Sequence, residues 1–130
     1  MRFALALVIA VSTLAGCKKA STTTAPVTAA VSASGTWSGC LAGQGCSLTM
    51  ILTDSATTDS TGVVKGTGTW LTLVTIKGTR LNSTVTLNAD QAGQTLGWVF
   101  AGIVSGTAMS GNMSGPSIAS SSQATFTRAP

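Results

Sequence analysis

The sequence predicts an all-β protein, a small antiparallel up-and-down barrel of about eight strands, with a β-sandwich as the alternative. From Gly35 onward, apolar and polar residues alternate with a period of two, which is typical of strands that bury one face. This part of the chain is rich in Gly, Thr and Ser, and it lacks the i, i+3, i+4 apolar stripe of a helix. The 130 residues suffice for one domain.

The predicted strands are bounded by turn residues, and Asn82-Ser83 and Ser105-Gly106 look like two-residue hairpin turns. One face of each strand is apolar and the other is largely Thr and Ser. A barrel suits such strands because closure buries one face and removes exposed edges. Glycines inside strands mark the coiling or bulges that small barrels need, at positions 66, 68, 78, 102 and 111. The predicted strands cover 35–41, 46–53, 62–71, 74–81, 84–89, 95–104, 107–114 and 122–128.

The start of the chain has the organisation of an export signal. Arg2 gives it a basic start, and the apolar run 3–11 is shorter than the roughly 20 residues that span a bilayer. Leu14-Ala15-Gly16-Cys17 then matches the lipobox of bacterial lipoproteins. The chain therefore resembles a lipoprotein precursor that is cleaved before Cys17 and acylated on its thiol. The alternative is an ordinary secretory signal in which Cys17 is incidental.

The resemblance to lipoproteins implies a domain plan and a location. Residues 1–16 are the signal peptide, 17–34 a lipid-anchored flexible linker and 35–130 the β domain. The linker is rich in Ala, Ser and Thr, and we expect it to be disordered because it buries too little to offset the entropy of ordering. The anchor implies a membrane partner in the bacterial cell envelope. Lys18 after the cysteine favours the outer membrane, facing the periplasm or the cell surface, if the source is Gram-negative.

Two cysteines remain for the β domain, Cys40 and Cys46. An exported protein meets an oxidising compartment, and the glycine-rich loop between the two residues can close a short ring. We therefore predict a disulfide, with two reduced thiols as the alternative. A zinc site is not expected, since the chain has no His and no further Cys to complete four ligands.

Charge and composition argue against nucleic-acid binding and catalysis. The β domain has four basic residues, scattered along the chain, against three aspartates, a net charge of +1. Nucleic-acid binders instead concentrate Lys and Arg on one face. The chain has no His, no Glu and no Ser-x-x-Lys, and we expect Asp54, Asp59 and Asp90 to be solvated loop residues. We therefore expect that the protein is not an enzyme and that it has no cofactor and no nucleic-acid partner.

Three tryptophans and one arginine are the candidate ligand-binding residues. Trp37, Trp70 and Trp98 share the inward parity of their strands, where they would line a pocket for a small apolar ligand or fill the barrel as core. We favour the core. Arg80 also has inward parity and would meet an anionic ligand at the barrel mouth. We favour instead a bulge at Gly78 that resets the parity and turns Leu81 inward.

The strand predicted over 95–104 is apolar on both faces. Val99, Ala101 and Ile103 lie opposite its inward residues, and they would contact another subunit or a partner protein. Burial under the Cys40 loop or under residues 115–122 explains the pattern equally well.

The opening of the β domain carries a further resemblance. Gly35-Thr36-Trp37, then Cys46-Ser47-Leu48-Thr49-Met50 and meandering Gly-Thr strands, are similar to the small barrels of bacterial lipoproteins and exported inhibitors, and to avidin-like barrels. The features of a biotin site are not matched, since the chain has no Tyr. The resemblance implies a non-enzymatic envelope module, structural or inhibitor-like. A carrier of a small apolar ligand inside the barrel is the alternative.

Replacement of Cys17 by serine tests the lipoprotein assignment. Serine lacks the thiol that accepts the diacylglyceryl group, so we expect the Cys17→Ser precursor to stay unlipidated and uncleaved by the lipoprotein peptidase. Palmitate labelling together with detergent-phase partitioning measures the difference from the wild type. A variant that is labelled and partitions as the wild type does would exclude lipidation at this position.

Overall fold

Eight antiparallel strands, each paired with the next, close into a barrel because the last strand pairs with the first. The computed structural model describes residues 30–130 except 71, 92–93 and 95–96. The predicted signal peptide, Cys17 and the linker up to residue 29 lie outside the described residues. The strands are β1 (Gly35–Leu41), β2 (Gly45–Ala56), β3 (Thr61–Trp70), β4 (Thr72–Leu81), β5 (Thr84–Gln91), β6 (Trp98–Ser105), β7 (Ala108–Gly115) and β8 (Ile118–Arg128). The barrel prediction is confirmed over the sandwich. None of the described residues belongs to a helix long and apolar enough to cross a membrane.

The observed strand limits follow the predicted ones, with informative differences. β8 begins at Ile118, four residues before its predicted start, because Ile118 pairs with Gly115 of β7 beyond a register shift in the serine-rich stretch, which has no apolar alternation. The turn at Asn82-Ser83 is confirmed. The other hairpin turn lies at Gly106-Thr107, one residue later than predicted. Gly106 takes a φ of 58°, a left-handed conformation that glycine adopts without steric cost.

The interior of the barrel holds the apolar face that the alternation predicted. Phe126 packs between two other rings, with its centroid 5.4 Å from Phe100 and 6.3 Å from Trp70. The interior of an eight-stranded barrel is just wide enough for side chains to fill it. Its buried apolar residues are Trp37, Leu41, Leu48, Met50, Leu52, Val64, Trp70, Val74, Ile76, Val85, Leu87, Ala89, Trp98, Phe100, Val104, Met109, Met113, Ala124 and Phe126.

Inward-facing glycines let neighbouring strands approach closely. A Cβ on Gly111 would lie 2.2 Å from the carbonyl oxygen of Ala101 and 2.4 Å from the Cα of Gly102. These obstacles are backbone atoms, which cannot rotate away as a side chain can. The glycines thus serve the coiling of a narrow barrel, one of the two roles that the sequence suggested.

The predicted bulge at Gly78 is wrong. The pairing of β4 with β3 and with β5 runs through Gly78 without a register shift. A Cβ at this position would lie 2.1 Å from the carbonyl oxygen of Thr86, so the glycine accommodates a close strand and no residue is inserted. The parity therefore continues, and it places Arg80 inside and Leu81 outside, with Leu81 58% exposed.

The predicted disulfide between Cys40 and Cys46 is confirmed. It joins β1 to β2 across the turn at 42–44, beside a register shift between Gly39 and Leu41. The disulfide thereby adds a covalent link to the first hairpin at this end of the barrel.

The strand order gives the barrel two ends. The entry end is where the chain enters β1, and it carries residues 30–34, the turns 57–60, 82–83 and 106–107, and the end of β8. The disulfide end carries the turns 42–44 and 116–117.

Candidate functional site

All three tryptophans point into the barrel and are buried, as their parity predicted. Trp37 lies near the entry end, and its indole Nε1–H donates a hydrogen bond to the carbonyl oxygen of Ala33 at 2.9 Å. Trp98 begins β6 at the opposite end, and its Nε1–H donates to the carbonyl oxygen of Pro116 at 2.8 Å. Both side chains thus combine apolar packing with a satisfied polar atom, which is how buried tryptophans usually sit.

The tryptophans do not gather into one cluster. Trp70 pairs with Phe126, and Trp37 lies under the guanidinium of Arg128, whose Cζ is 4.6 Å from the ring centroid. Across the described part of the chain, no ring pair joins two tryptophans. Parity gives the face of a strand but not the height in the barrel, so the sequence grouped residues that the fold separates.

Arg80 is buried inside the entry end and binds a carboxylate of its own chain. Its Nε lies 2.5 Å from Oδ2 of Asp54, and the two side chains are 2% and 1% exposed. Arg80 Nη1 also donates to the carbonyl oxygen of Asn82 at 3.2 Å. The anion that the sequence expected from a ligand is therefore supplied by β2.

The expectation that Asp54 is a solvated loop residue is wrong. β2 continues to Ala56, so Asp54 lies within the strand and keeps the inward parity of Met50 and Leu52. A carboxylate in this position would be strongly destabilising alone, and the Arg80 guanidinium offsets its desolvation. The strand continued past its predicted end because pairing with Val64 does not depend on which side chain Asp54 carries.

A short stretch before β1 closes the entry end. We call Val31, Ser32, Ala33 and Ser34 the plug segment. Ala33 is fully buried, and its main-chain N–H donates to Asp54 Oδ2 at 2.9 Å. The main-chain N–H of Asp54 in turn donates to Ser34 Oγ at 2.8 Å. The structure thus places residues that the sequence assigned to the linker against the barrel.

Arg128 fixes the other side of the plug segment. Its Nη2 donates to the carbonyl oxygen of Ser32, while the rest of the guanidinium covers the Trp37 ring. The entry end therefore presents one guanidinium group, one carboxylate and one indole N–H to the main chain of Ser32 and Ala33, and Arg80 holds the carboxylate. This chemistry is suited to recognition by hydrogen bonding.

The plug segment was missed because it is short. Val31 and Ala33 alternate with Ser32 and Ser34, which continues the period of β1 backwards. Four residues with two small apolar members are too few to separate from the Ala, Ser and Thr of the linker. The alternation immediately before Gly35 is the signal that could have identified it.

The predicted outward face of β6 is exposed, with Val99 at 36% and Ile103 at 55%. Neighbouring segments therefore do not bury it in the described part of the chain. Across the sheet, Ile103 pairs with Thr84, which pairs with Leu81 on β4. Leu81, a residue that the sequence placed inside, thus extends this apolar face around the outside of the barrel. We call Leu81, Val99, Ala101 and Ile103 the β6 face.

Two of the grooves that the described residues line lie outside the filled interior. The larger, of about 360 Å³, crosses the outer wall of β1 to β4 between threonines, Ile51 and Leu73. The smaller, of about 220 Å³, lies at the entry end beside the plug segment, and its lining includes Val104, Gly106 and Arg128. Among the described residues, no group of three or more His, Cys, Asp or Glu could hold a metal ion.

Comparisons with family models, with curated proteins and with solved structures find no match. The structure supports the closed eight-stranded barrel that the resemblance implied. The closer relation to lipoprotein, inhibitor or avidin-like barrels stays a prediction.

Removal of one partner of the buried ion pair tests its role. Asp54→Leu leaves the Arg80 charge buried without its carboxylate, and we expect a loss of about 3–5 kcal/mol in the free energy of unfolding. Urea unfolding of a soluble form that begins at Lys18 measures it. The double variant Asp54→Leu, Arg80→Met should lose clearly less than the two single changes together.

The matched control is Asp59→Leu, a change in an exposed turn at the same end of the barrel. We expect this variant to stay within about 0.5 kcal/mol of the wild type, as surface substitutions usually do. Equal stability of the Asp54 and Asp59 variants would contradict a structural role for the pair.

Proposed function

We propose that this protein is a lipid-anchored, non-enzymatic module of the bacterial cell envelope that acts by binding a partner protein, in a structural or inhibitor-like role. The supporting observation is that the chain's own side chains occupy the barrel interior and its own plug segment covers the entry end. A barrel filled in this way has its outer wall and its ends left for function. The lipid anchor rests on the lipobox at Cys17, and Lys18 after it favours the outer membrane if the source is Gram-negative.

A carrier of a small apolar ligand is the weaker candidate. A ligand inside the barrel would have to displace packed side chains, since Trp37, Trp70, Phe100 and Phe126 are all fully or almost fully buried. The two grooves described above lie outside this core. Both are partly open, unlike the enclosed sites that bury most of a small ligand.

The β6 face is the surface that best fits a partner protein. Leu81 and Ile103 flank Thr84 on the outer wall, and both expose more than half of their surface. Large apolar side chains that stay exposed in a cluster often mark an interaction site. Leu81 and Ile103 also lie toward the entry end, where the chain arrives from Cys17, so a partner bound there would be held near the membrane.

Truncation of Trp98 distinguishes the two candidate functions, the interaction module and the carrier. If Trp98 is core, Trp98→Ala should lose about 3–5 kcal/mol, as large-to-small core changes do. A domain has only about 5–15 kcal/mol of stability, so the melting temperature should fall steeply. Circular dichroism melts of the form that begins at Lys18 measure it.

Val99→Ala is the control, since Val99 is the next residue and faces outward. Its melt should remain near that of the wild type. If Trp98→Ala also melts near the wild type, the tryptophan lines a cavity, and the carrier becomes the better proposal.

Photo-crosslinking in intact cells tests the β6 face directly. A photoreactive phenylalanine at Ile103 should give one or a few discrete crosslinked products, because the partner covers this position. The same group at Thr53 is the control, since Thr53 is exposed on β2, which lies opposite β6 in the closed barrel. Identical products from both positions, or none from Ile103, would contradict the β6 face as the binding surface.

A further inference from the structure

The entry end recognises the main chain of the plug segment. Three side chains from three strands bind three consecutive main-chain groups: Arg128 of β8 donates to the carbonyl oxygen of Ser32, Asp54 of β2 accepts from the N–H of Ala33, and Trp37 of β1 donates to the carbonyl oxygen of Ala33. Such contacts recognise the path of a peptide main chain and not the identity of its side chains.

The groups that make these contacts are built into the barrel. The Asp54 side chain is 1% exposed and is held by Arg80, while Trp37 is fully buried. Oδ1 of Asp54 has no hydrogen-bond partner among the described residues, and it lies over Gly62, where a Cβ would come within 2.1 Å. A buried carboxylate with spare acceptor capacity thus faces the end of the barrel that the plug segment covers.

The site also restricts the size of the side chain at the Ala33 position. Ala33 is fully buried, so a larger residue at this position would collide with the barrel end. On one side of Ala33, the groove of about 220 Å³ follows the chain past Ala30, Val31 and Ser32. The site therefore fits an extended peptide with a small residue at the Ala33 position and additional residues before it.

We propose that the entry end is a peptide-binding site whose resident occupant is the plug segment. Its ligand class is an extended segment with Ala, Gly or Ser at the buried position, supplied by a second copy of this chain or by another protein. The plug segment precedes Gly35, the first residue of β1, so it can leave without breaking the strand pairing of the barrel. This proposal depends on neither the lipid anchor nor the β6 face.

Covalent attachment explains why the resident occupant would dominate. A segment joined to its site by a short connection has an effective concentration on the order of millimolar. A free peptide therefore binds well only when the resident segment is weakened. Ala33→Asp weakens it, since a charged side chain cannot enter the space that Ala33 fills. Thr36→Asp is the matched control, because Thr36 is exposed, three residues away and outside the plug segment and its groove.

The binding experiment uses the mature protein in detergent micelles. The probe is a synthetic peptide with the sequence of residues 28–35, labelled at its amino terminus, and fluorescence anisotropy reports its binding. We expect the Ala33→Asp protein to bind the probe at least tenfold more tightly than the Thr36→Asp protein. A probe that carries Asp at the Ala33 position should not bind. A folded Ala33→Asp protein that binds the probe no better than the control would overturn the proposal.

Amide exchange in the wild type provides a test that needs no variant. If the plug segment leaves while the barrel stays closed, the N–H of Ala33 should exchange at least a hundredfold faster than that of Met50 in the centre of β2. Exchange of Ala33 at the rate of Met50 would show that the segment leaves only on global unfolding, and the site would then be a permanent part of the fold.

Sedimentation identifies the source of the ligand segment. A mixed dimer of wild-type and Ala33→Asp protein indicates a second copy of this chain, whereas monomers that bind the probe indicate another protein.

Discussion

The interior volume of a narrow closed barrel is the constraint on which the rest of this structure depends. Eight strands leave room for side chains and little more, and this chain places large rings there. The rings fit because glycines stand beside them: a Cβ on Gly39 would come within 2.2 Å of the Phe126 ring, and one on Gly102 within 2.5 Å of the Phe100 ring. The large rings and the glycines beside them therefore depend on each other for the packing of the interior.

The same constraint determines how the entry end is closed. A barrel mouth exposes the ends of its core, and here Trp37 would be left open to solvent without a cover. Arg128 covers its ring and the plug segment accepts a hydrogen bond from its N–H, while Asp54, held in turn by Arg80, accepts a hydrogen bond from that segment. Replacing such a pair by apolar residues often costs little, but removing one partner costs much. The pair therefore defines where the chain enters the barrel more than it adds to stability.

Strand positions and parity could be read from the sequence because the period-two alternation is a direct consequence of strand geometry. The same parity correctly predicts Arg80 inward, whereas the bulge expected at Gly78 is absent. The partner of Arg80 lies 26 residues earlier in the chain. No local pattern links the two positions, since the register of β2, β3 and β4 brings them together. The candidate tryptophans show the same limit: their face was predictable, and the separation of Trp37 from Trp70 and Trp98 along the barrel axis was not.

Polar, apolar and charged side chains are distributed unevenly over the outer wall and the entry end of the barrel. The outer wall is dominated by threonine and serine, which favour strands and keep a surface soluble without providing specific recognition. Two regions of the molecule, the β6 face and the entry end, differ in chemistry from their surroundings. The β6 face adds exposed apolar side chains to this wall, as Ile51 and Leu73 do on its other side, and the entry end holds a buried ion pair beside an apolar interior. Leu81 and Ile103 of the β6 face lie toward the entry end, where β1 begins. A barrel whose own side chains fill its interior leaves its outer wall and its ends for binding, and the plug segment covers one of those ends through the contacts of Ala33 with Asp54 and Trp37.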